Sequence, residues 1–239
     1  MNRRSPGFDT DLVRVCHDFA AKGLSTIPAE VSPSLPLTNR LPRSFYDRPT
    51  SEVARDLIGK ALLHHVDGCW RGGWIVETEA YLHQRDPASH SARGPTRSNA
   101  SMFEAPGTLY VYPIHAKYCL NAVTQAKGEG TAVLIRAIEP VWGVESMRIA
   151  RGIEAIKRLT SGPAMLCQAL SVSRDDDGRC LIQDPRLGIF TDDNRPASKV
   201  ATTKRIGISK AVDRKLRFVD SASRFLSRPY RDPRSKANA

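Results

Sequence analysis

Apolar residues from position 60 to position 81 fall into two runs separated by Asp67 and Gly68. Residues 60–66 and 70–81 read as the strands of a hairpin, with the Asp-Gly pair as its tight turn. Period-two alternation then places Trp74, Val76, Thr78 and Ala80 on one face of the second strand. Ile75, Glu77, Glu79 and Tyr81 fall on the other. Two carboxylates and a phenol on one face of a strand otherwise built for burial require water, a cation or a chemical task. Further strands are expected in "TLYVYPI", "KYCLNAVT" and "TAVLIRAIEP", the last two joined by a turn at 127–130, and later over 200–208 and 216–219. Helical patterns cover 141–152 and 162–171, and Thr50 or Ser51 is placed to cap a short helix ending before Gly59. Short antiparallel strands with a few helices predict a mixed α+β domain and exclude a βαβ array.

Residues 1–43 form a lead-in. A short helix fits 11–21, followed by Pro28, Pro33, Pro36 and Pro42 among Ser and Thr, a composition for flexible chain. The domain proper covers 44–228, and 229–239 is a basic tail. Residues 82–99 make a polar loop with His83, His90, Arg93 and Arg97, and a loop of that length is uncommon unless it has a function. "DDDG" at 175–178 reads as a solvated turn, since the alternating ligands and distal glutamate of an EF-hand are missing. Gly128-Glu129-Gly130 lacks the strand and helix that a phosphate-binding glycine loop requires.

Composition narrows the function classes. The 239 residues contain no apolar run near the ~20 needed to span a membrane, and the basic start has no apolar stretch of a secretion signal. Five scattered cysteines with no CxxC spacing exclude a zinc ribbon or a disulfide framework, so a reduced, cytoplasmic protein is expected, nucleoid-associated if bacterial. The net charge is +11, and residues 199–239 supply most of the excess, with twelve Lys/Arg against three Asp. Such a field suits a polyanion, nucleic acid first, although a merely solvated tail would look the same.

Alternation also groups Tyr110 with Tyr112 and Leu134 with Arg136. A buried arginine in "VLIRAI" is costly without a carboxylate, and Glu79 is a suitable partner. Alone, that pair is a core ion pair, the tyrosines are sheet packing and His90 is a loop histidine.

Taken together, "ARDLIGK", "IVETEAYL", "PASHSARGPTRSNASMF", "PGTLYVYPI", "YCLN", "VLIRAIEP", "SGPAMLCQAL" and "RIGIS" follow one another as in the alkyladenine (3-methyladenine) DNA glycosylases, which this chain resembles from about 45 to 228. The resemblance implies a single domain with a curved, mainly antiparallel sheet and a protruding hairpin. It implies a monomeric, monofunctional enzyme without metal or other cofactor, acting on double-stranded DNA that contains damaged purines. Such an enzyme extrudes the damaged nucleotide to reach it. By this likeness Tyr81 and Tyr112 stack on the base, His90 donates to the flipped nucleotide, and Met102 and Leu134 line the pocket. Asn121 stands at the base edge, where it disfavours guanine. Glu79 is the general base for a water aimed at C1′, positioned with Arg136 and the backbone carbonyl of Ile206. Glu77 receives no catalytic role, and a salt bridge is expected.

Two departures stand out. "YVYPIHAKYCLN" has His115 where the family has a tyrosine wedge, with one residue fewer, so the wedge is His115 by alignment or Ile114 by apolar character. The family's "RN" is "SN", with Arg97 one place earlier, which removes the ground for assigning it the family's phosphate contact. Two other readings stay open: a non-catalytic DNA-binding protein of the same fold, and a carbohydrate hydrolase using Glu77 and Glu79. The second is disfavoured because i and i+2 on a strand lie ~7 Å apart on one side of any substrate.

Overall fold

A computed structural model describes residues 37–114 and 117–232. The helix expected over 11–21, His115 and the end of the basic tail lie outside the described residues. Within them, eight strands form one curled antiparallel sheet: β1 Ala61–Val66, β2 Cys69–Tyr81, β3 Leu109–Ile114, β4 Lys117–Thr124, β5 Thr131–Trp142, β6 Leu187–Phe190, β7 Val200–Thr203 and β8 Arg217–Asp220. The order is β3-β4-β5-β2-β1-β6, with β8 paired to both β2 and β7. Helices α1 Arg43–Tyr46, α2 Thr50–Asp56, α3 Val144–Arg151 and α4 Pro163–Ala169 complete an α+β domain, as the pattern predicted. No helix among the described residues is long and apolar enough to cross a membrane.

β2 is the organising strand. One of its edges pairs with β5 along most of its length, while the other takes β1 at Cys69–Trp74 and β8 at Glu77–Glu79. Such crowding requires glycine. A Cβ at Gly73 would lie 1.9 Å from the Glu139 carbonyl oxygen, and one at Gly72 2.1 Å from that of Leu62.

One face of the sheet carries the main core. Leu62, Ile75, Leu109, Val111, Leu120, Val133 and Ile135 pack there with Val53 and Ala54 of α2, Met147 of α3 and Leu166 of α4. Strict alternation fails at one place. Ile75 belongs to this core, while Val76 packs with Ala137 and Phe225 in a separate cluster. The cause is local: the β2–β5 register is irregular between Ile75 and Thr78, so neighbouring residues no longer alternate cleanly.

Other expectations are corrected by tertiary contacts. The N-cap of α2 is Pro49, without a side-chain cap, and the Thr50 hydroxyl instead meets Thr124 Oγ1 at 3.0 Å and Gln125 Oε1 at 2.9 Å. The end of the lead-in is bound to β6, with Leu41 N–H donating to Ile189 O at 2.9 Å and Asn39 O accepting from Thr191 N–H at 2.8 Å. The strand expected over 200–208 stops at Thr203. β6, four residues long, was too short to announce itself by alternation.

"DDDG" is not a solvated turn. Ser173 and Asp176 form a capping box. Asp177 accepts from Val111 N–H at 2.8 Å and from the Ser101 hydroxyl at 2.7 Å, and Arg174 donates to Val111 O. β3 is an edge strand, and these two side chains satisfy its backbone where a neighbouring strand would.

Gly73→Ala is expected to cost at least ~3 kcal/mol, because the new methyl meets backbone and not a yielding side chain. Thermal unfolding checks this.

Candidate active site

The sheet face opposite the main core carries the polar candidates in register. Glu79 on β2 lies opposite Leu134 on β5, Leu134 opposite Asn121 on β4, and Asn121 opposite Tyr110 on β3. In the next rows Tyr81 is level with Ala132, and Tyr112 with Cys119. Antiparallel pairing makes one surface of residues as far apart in the chain as Glu79 and Leu134.

Arg136 lies between the two glutamates. Its Nε donates to Glu77 Oε1 at 2.8 Å and its Nη1 to Glu79 Oε2 at 3.3 Å, with both carboxylates wholly buried. The two glutamates differ in everything else. Glu77 also accepts from Arg217 Nε at 2.8 Å, from Ser227 N–H at 2.6 Å and from the Ser227 hydroxyl at 2.7 Å. Burial alone would raise its pKa, but hydrogen bonding from Arg217, the charges of Arg136 and Arg217 and the Ser227 contact outweigh it and hold the carboxylate ionised below its usual range. Glu79 accepts from Arg136, from the Tyr81 hydroxyl at 2.9 Å and from Ile206 N–H at 2.8 Å. Here burial wins against Arg136 and the two hydrogen bonds, and the pKa is raised. The fold therefore keeps one carboxylate as an anchor and makes its neighbour the more basic of the two.

Ile206 reaches Glu79 through its N–H; it sits in the loop between β7 and β8, as does Arg205. Arg205 is fully buried against Asp86, donating to both carboxylate oxygens, and its Nη1 also donates to Ala80 O at 2.9 Å. Its guanidinium carbon is 4.7 Å from the centroid of the Tyr81 ring. This inward turn explains why β7 ends early. Asp86 in turn accepts from the N–H groups of Leu82 and Ala88, so the polar loop after β2 is built around a buried charge pair.

That loop carries His90. Its Nδ1 is 3.1 Å from the Tyr110 hydroxyl, and its ring meets Tyr112 edge-on with centroids 4.3 Å apart. Tyr110 and Tyr112 are stacked at 5.6 Å, as their shared face predicted. Burial raises the Tyr110 phenol to about 12, so it stays protonated, and the tautomer of His90 decides which of the two groups donates. Partial burial lowers the His90 pKa, which favours the neutral imidazole. Asn99 fixes the loop from beneath, donating to the carbonyls of His90 and Gly94 and accepting from Thr96 N–H. Asn121 Nδ2 donates to Tyr110 O at 3.0 Å, which orients its amide. Met102 is buried beside Tyr81, Tyr110 and Tyr112. Ile114 stands 40% exposed at the end of β3, beside the tip of the hairpin.

The expected residues Glu79, Arg136, Ile206, Tyr81, His90, Tyr112, Asn121, Met102 and Leu134 thus lie on or beside one surface. Sequence reasoning missed Asp86, Asn99, Arg205, Arg217 and Ser227. Arg205 and Arg217 had been counted toward an outward field, yet both are buried on carboxylates, and Lys204 is paired with Asp213 at 2.6 Å. Among the described residues no three His, Cys, Asp or Glu side chains converge as a metal site would require.

Comparison with known proteins shows what the chain is similar to. Residues 44–224 match the profile of the family described as Methylpurine-DNA glycosylase. A protein of Rhodopirellula baltica named "Putative 3-methyladenine DNA glycosylase" is 50% identical over 205 residues, covering 82% of this chain and 88% of its own. Proteins of the same name from Methanoculleus marisnigri and Granulibacter bethesdensis are 44% and 45% identical, over 79% and 81% of this chain and 98% and 90% of theirs.

Opposite pKa shifts predict opposite effects on stability. Glu77, depressed, contributes stability that is present above its unfolded pKa of ~4.3 and lost as pH falls through its folded value. Glu79, raised, favours the folded state below that unfolded value and ceases to as pH rises through its folded pKa. Glu77→Gln is therefore expected to cost ~3–5 kcal/mol at neutral pH and to flatten the acid limb of stability. Glu79→Gln is expected to unfold no earlier than the parent at neutral pH. Denaturant unfolding at a series of pH values measures both.

Proposed function

Because the chain belongs to the methylpurine-DNA glycosylase family, we propose that it flips alkylated or deaminated purines out of double-stranded DNA and hydrolyses the N-glycosidic bond with a water activated by Glu79. The observation that carries this reading is the contrast within the carboxylate pair: Glu79 is buried with a raised pKa and Glu77 is saturated with donors. A carboxylate with raised basicity is the better proton acceptor for water.

In this reading Glu79 takes a proton from water as the oxygen bonds to C1′ and the bond from C1′ to the base nitrogen breaks. Arg136 and the backbone at Ile206 hold the carboxylate in place through the contacts described above, and the carbonyl of Ile206 helps hold the water. The carboxylate also stabilises the positive charge that develops on the sugar. A positively charged alkylated purine leaves as a neutral base, whereas hypoxanthine must gain a proton to leave as easily. Tyr81 and Tyr112 supply stacking surface, His90 donates to the flipped nucleotide, and Asn121 stands at the base edge to disfavour guanine. The products are the free base and an abasic site, and the protein acts as a monomer.

A carbohydrate hydrolase would need Glu77 as the second acid/base group, but that carboxylate already accepts from Arg136, Arg217 and Ser227. A non-catalytic DNA binder would have no use for a buried glutamate of raised pKa.

Glu79→Gln is expected to lower single-turnover base release by ~10²–10⁴ while DNA binding survives. Retention of a large part of the parent rate would show that Glu79 is not the base. The parent's rate should rise with pH through a pKa above the ordinary glutamate value of ~4.3.

Ile114, exposed beside the hairpin tip, fills the gap left by the extruded nucleotide if it is the wedge. Ile114→Ala would then lower the flipped population roughly fivefold (about 1 kcal/mol), read by a fluorescent base beside the lesion. An unchanged signal would move the role to His115.

A further inference from the structure

We propose that Asp86 and Arg205 are positioning residues that set the preference of the site between positively charged and neutral damaged bases. Asp86 does so by keeping the guanidinium behind Tyr81 electrically neutral. The proposal rests on Tyr81 being a surface on which the extruded base stacks.

Its grounds are geometric. Both side chains of the pair are wholly shielded from solvent, and Arg205 donates to both oxygens of Asp86. The guanidinium carbon lies 4.7 Å from the Tyr81 centroid, and the Tyr81 hydroxyl donates to Glu79. Arg205 therefore stands against the stacking surface, one residue before the backbone N–H that binds the general base. The ion pairs around the site also balance: Glu77, Glu79 and Asp86 against Arg136, Arg205 and Arg217.

Across the thickness of one aromatic ring, charges still interact appreciably in a buried setting. An unneutralised guanidinium would repel a positively charged base stacked on the other face of Tyr81 and would leave a neutral base nearly unaffected. An unneutralised Asp86 carboxylate would do the reverse. The sign of the preference is thus set by whichever member of the pair is left alone.

The test compares duplexes containing 3-methyladenine, which is positively charged and has no 2-amino group, with duplexes containing hypoxanthine, which is neutral. Single-turnover rate divided by half-saturating enzyme concentration is measured for each at mildly alkaline pH. In Asp86→Asn the ratio of the charged to the neutral lesion is expected to fall roughly tenfold or more. In Arg205→Gln it should rise, and in the double variant it should return to within about twofold of the parent, the limit set by additivity of charge. A purely structural pair would slow both lesions together in all three variants and leave the ratio unchanged, which overturns the proposal. Should one single variant fail to fold, the opposite displacement in the other, against the double variant, decides the matter. A parent protein that releases neither base would overturn the proposed function itself, a different result from an unmoved ratio.

Discussion

A single guanidinium shared by two buried carboxylates is the constraint around which this site is built. Arg136 cannot leave water for the middle of a sheet unless its charge is met, and Glu77 and Glu79 cannot enter without it. Three elements distant in sequence are thereby tied at one place: the centre of β2, the centre of β5, and the chain that follows β8. The arrangement is asymmetric because Ser227 and Arg217 reach only Glu77. Glu79 is left with fewer and weaker compensations, and burial decides its protonation. Its basicity is thus a product of how donors are distributed over two similar groups.

The same pattern of buried charge recurs on the far side of Tyr81. Asp86 and Arg205 organise a loop with little regular secondary structure, which explains how a long polar segment holds His90 at a fixed place. Burying ion pairs adds little net stability compared with apolar packing, but it specifies geometry. For a surface that must present a phenol, an imidazole and a carboxylate to one substrate, geometry is the quantity that matters.

Much of this was legible in the chain because β2 and β5 are long and regular enough for alternation to speak. Counting alone put Glu79 with Tyr81, Leu134 with Arg136 and Tyr110 with Tyr112, each pair within its own strand, and the strand register joins the three pairs. Counting failed at Ile75 and Val76, where two strands lose register together, since alternation assumes an unbroken ladder. It was blind to Asp86, Arg205, Arg217 and Ser227 for a different reason. Each lies in or near irregular chain, and its burial depends on a partner more than one hundred residues away. Charge counted along a sequence cannot distinguish a cation facing solvent from one consumed inside, so the basic stretch 199–239 promised a stronger outward field than its described part delivers, with Arg205 and Arg217 buried on carboxylates. The Asp-rich turn misled similarly, because local composition gave no hint that its side chains finish an edge strand.

Ser227 donates to a carboxylate laid down 150 residues earlier in synthesis. Synthesis delivers β1 to β6 while Glu77 still lacks two of its donors, Arg217 and Ser227. Until those residues arrive, Arg136 is the donor the two glutamates share, and Glu77 lacks the contacts that make it the anchor. The difference between anchor and base is therefore established only once Arg217 and Ser227 have been made, and a chain that stops short of them carries Glu77 and Glu79 without their division of labour.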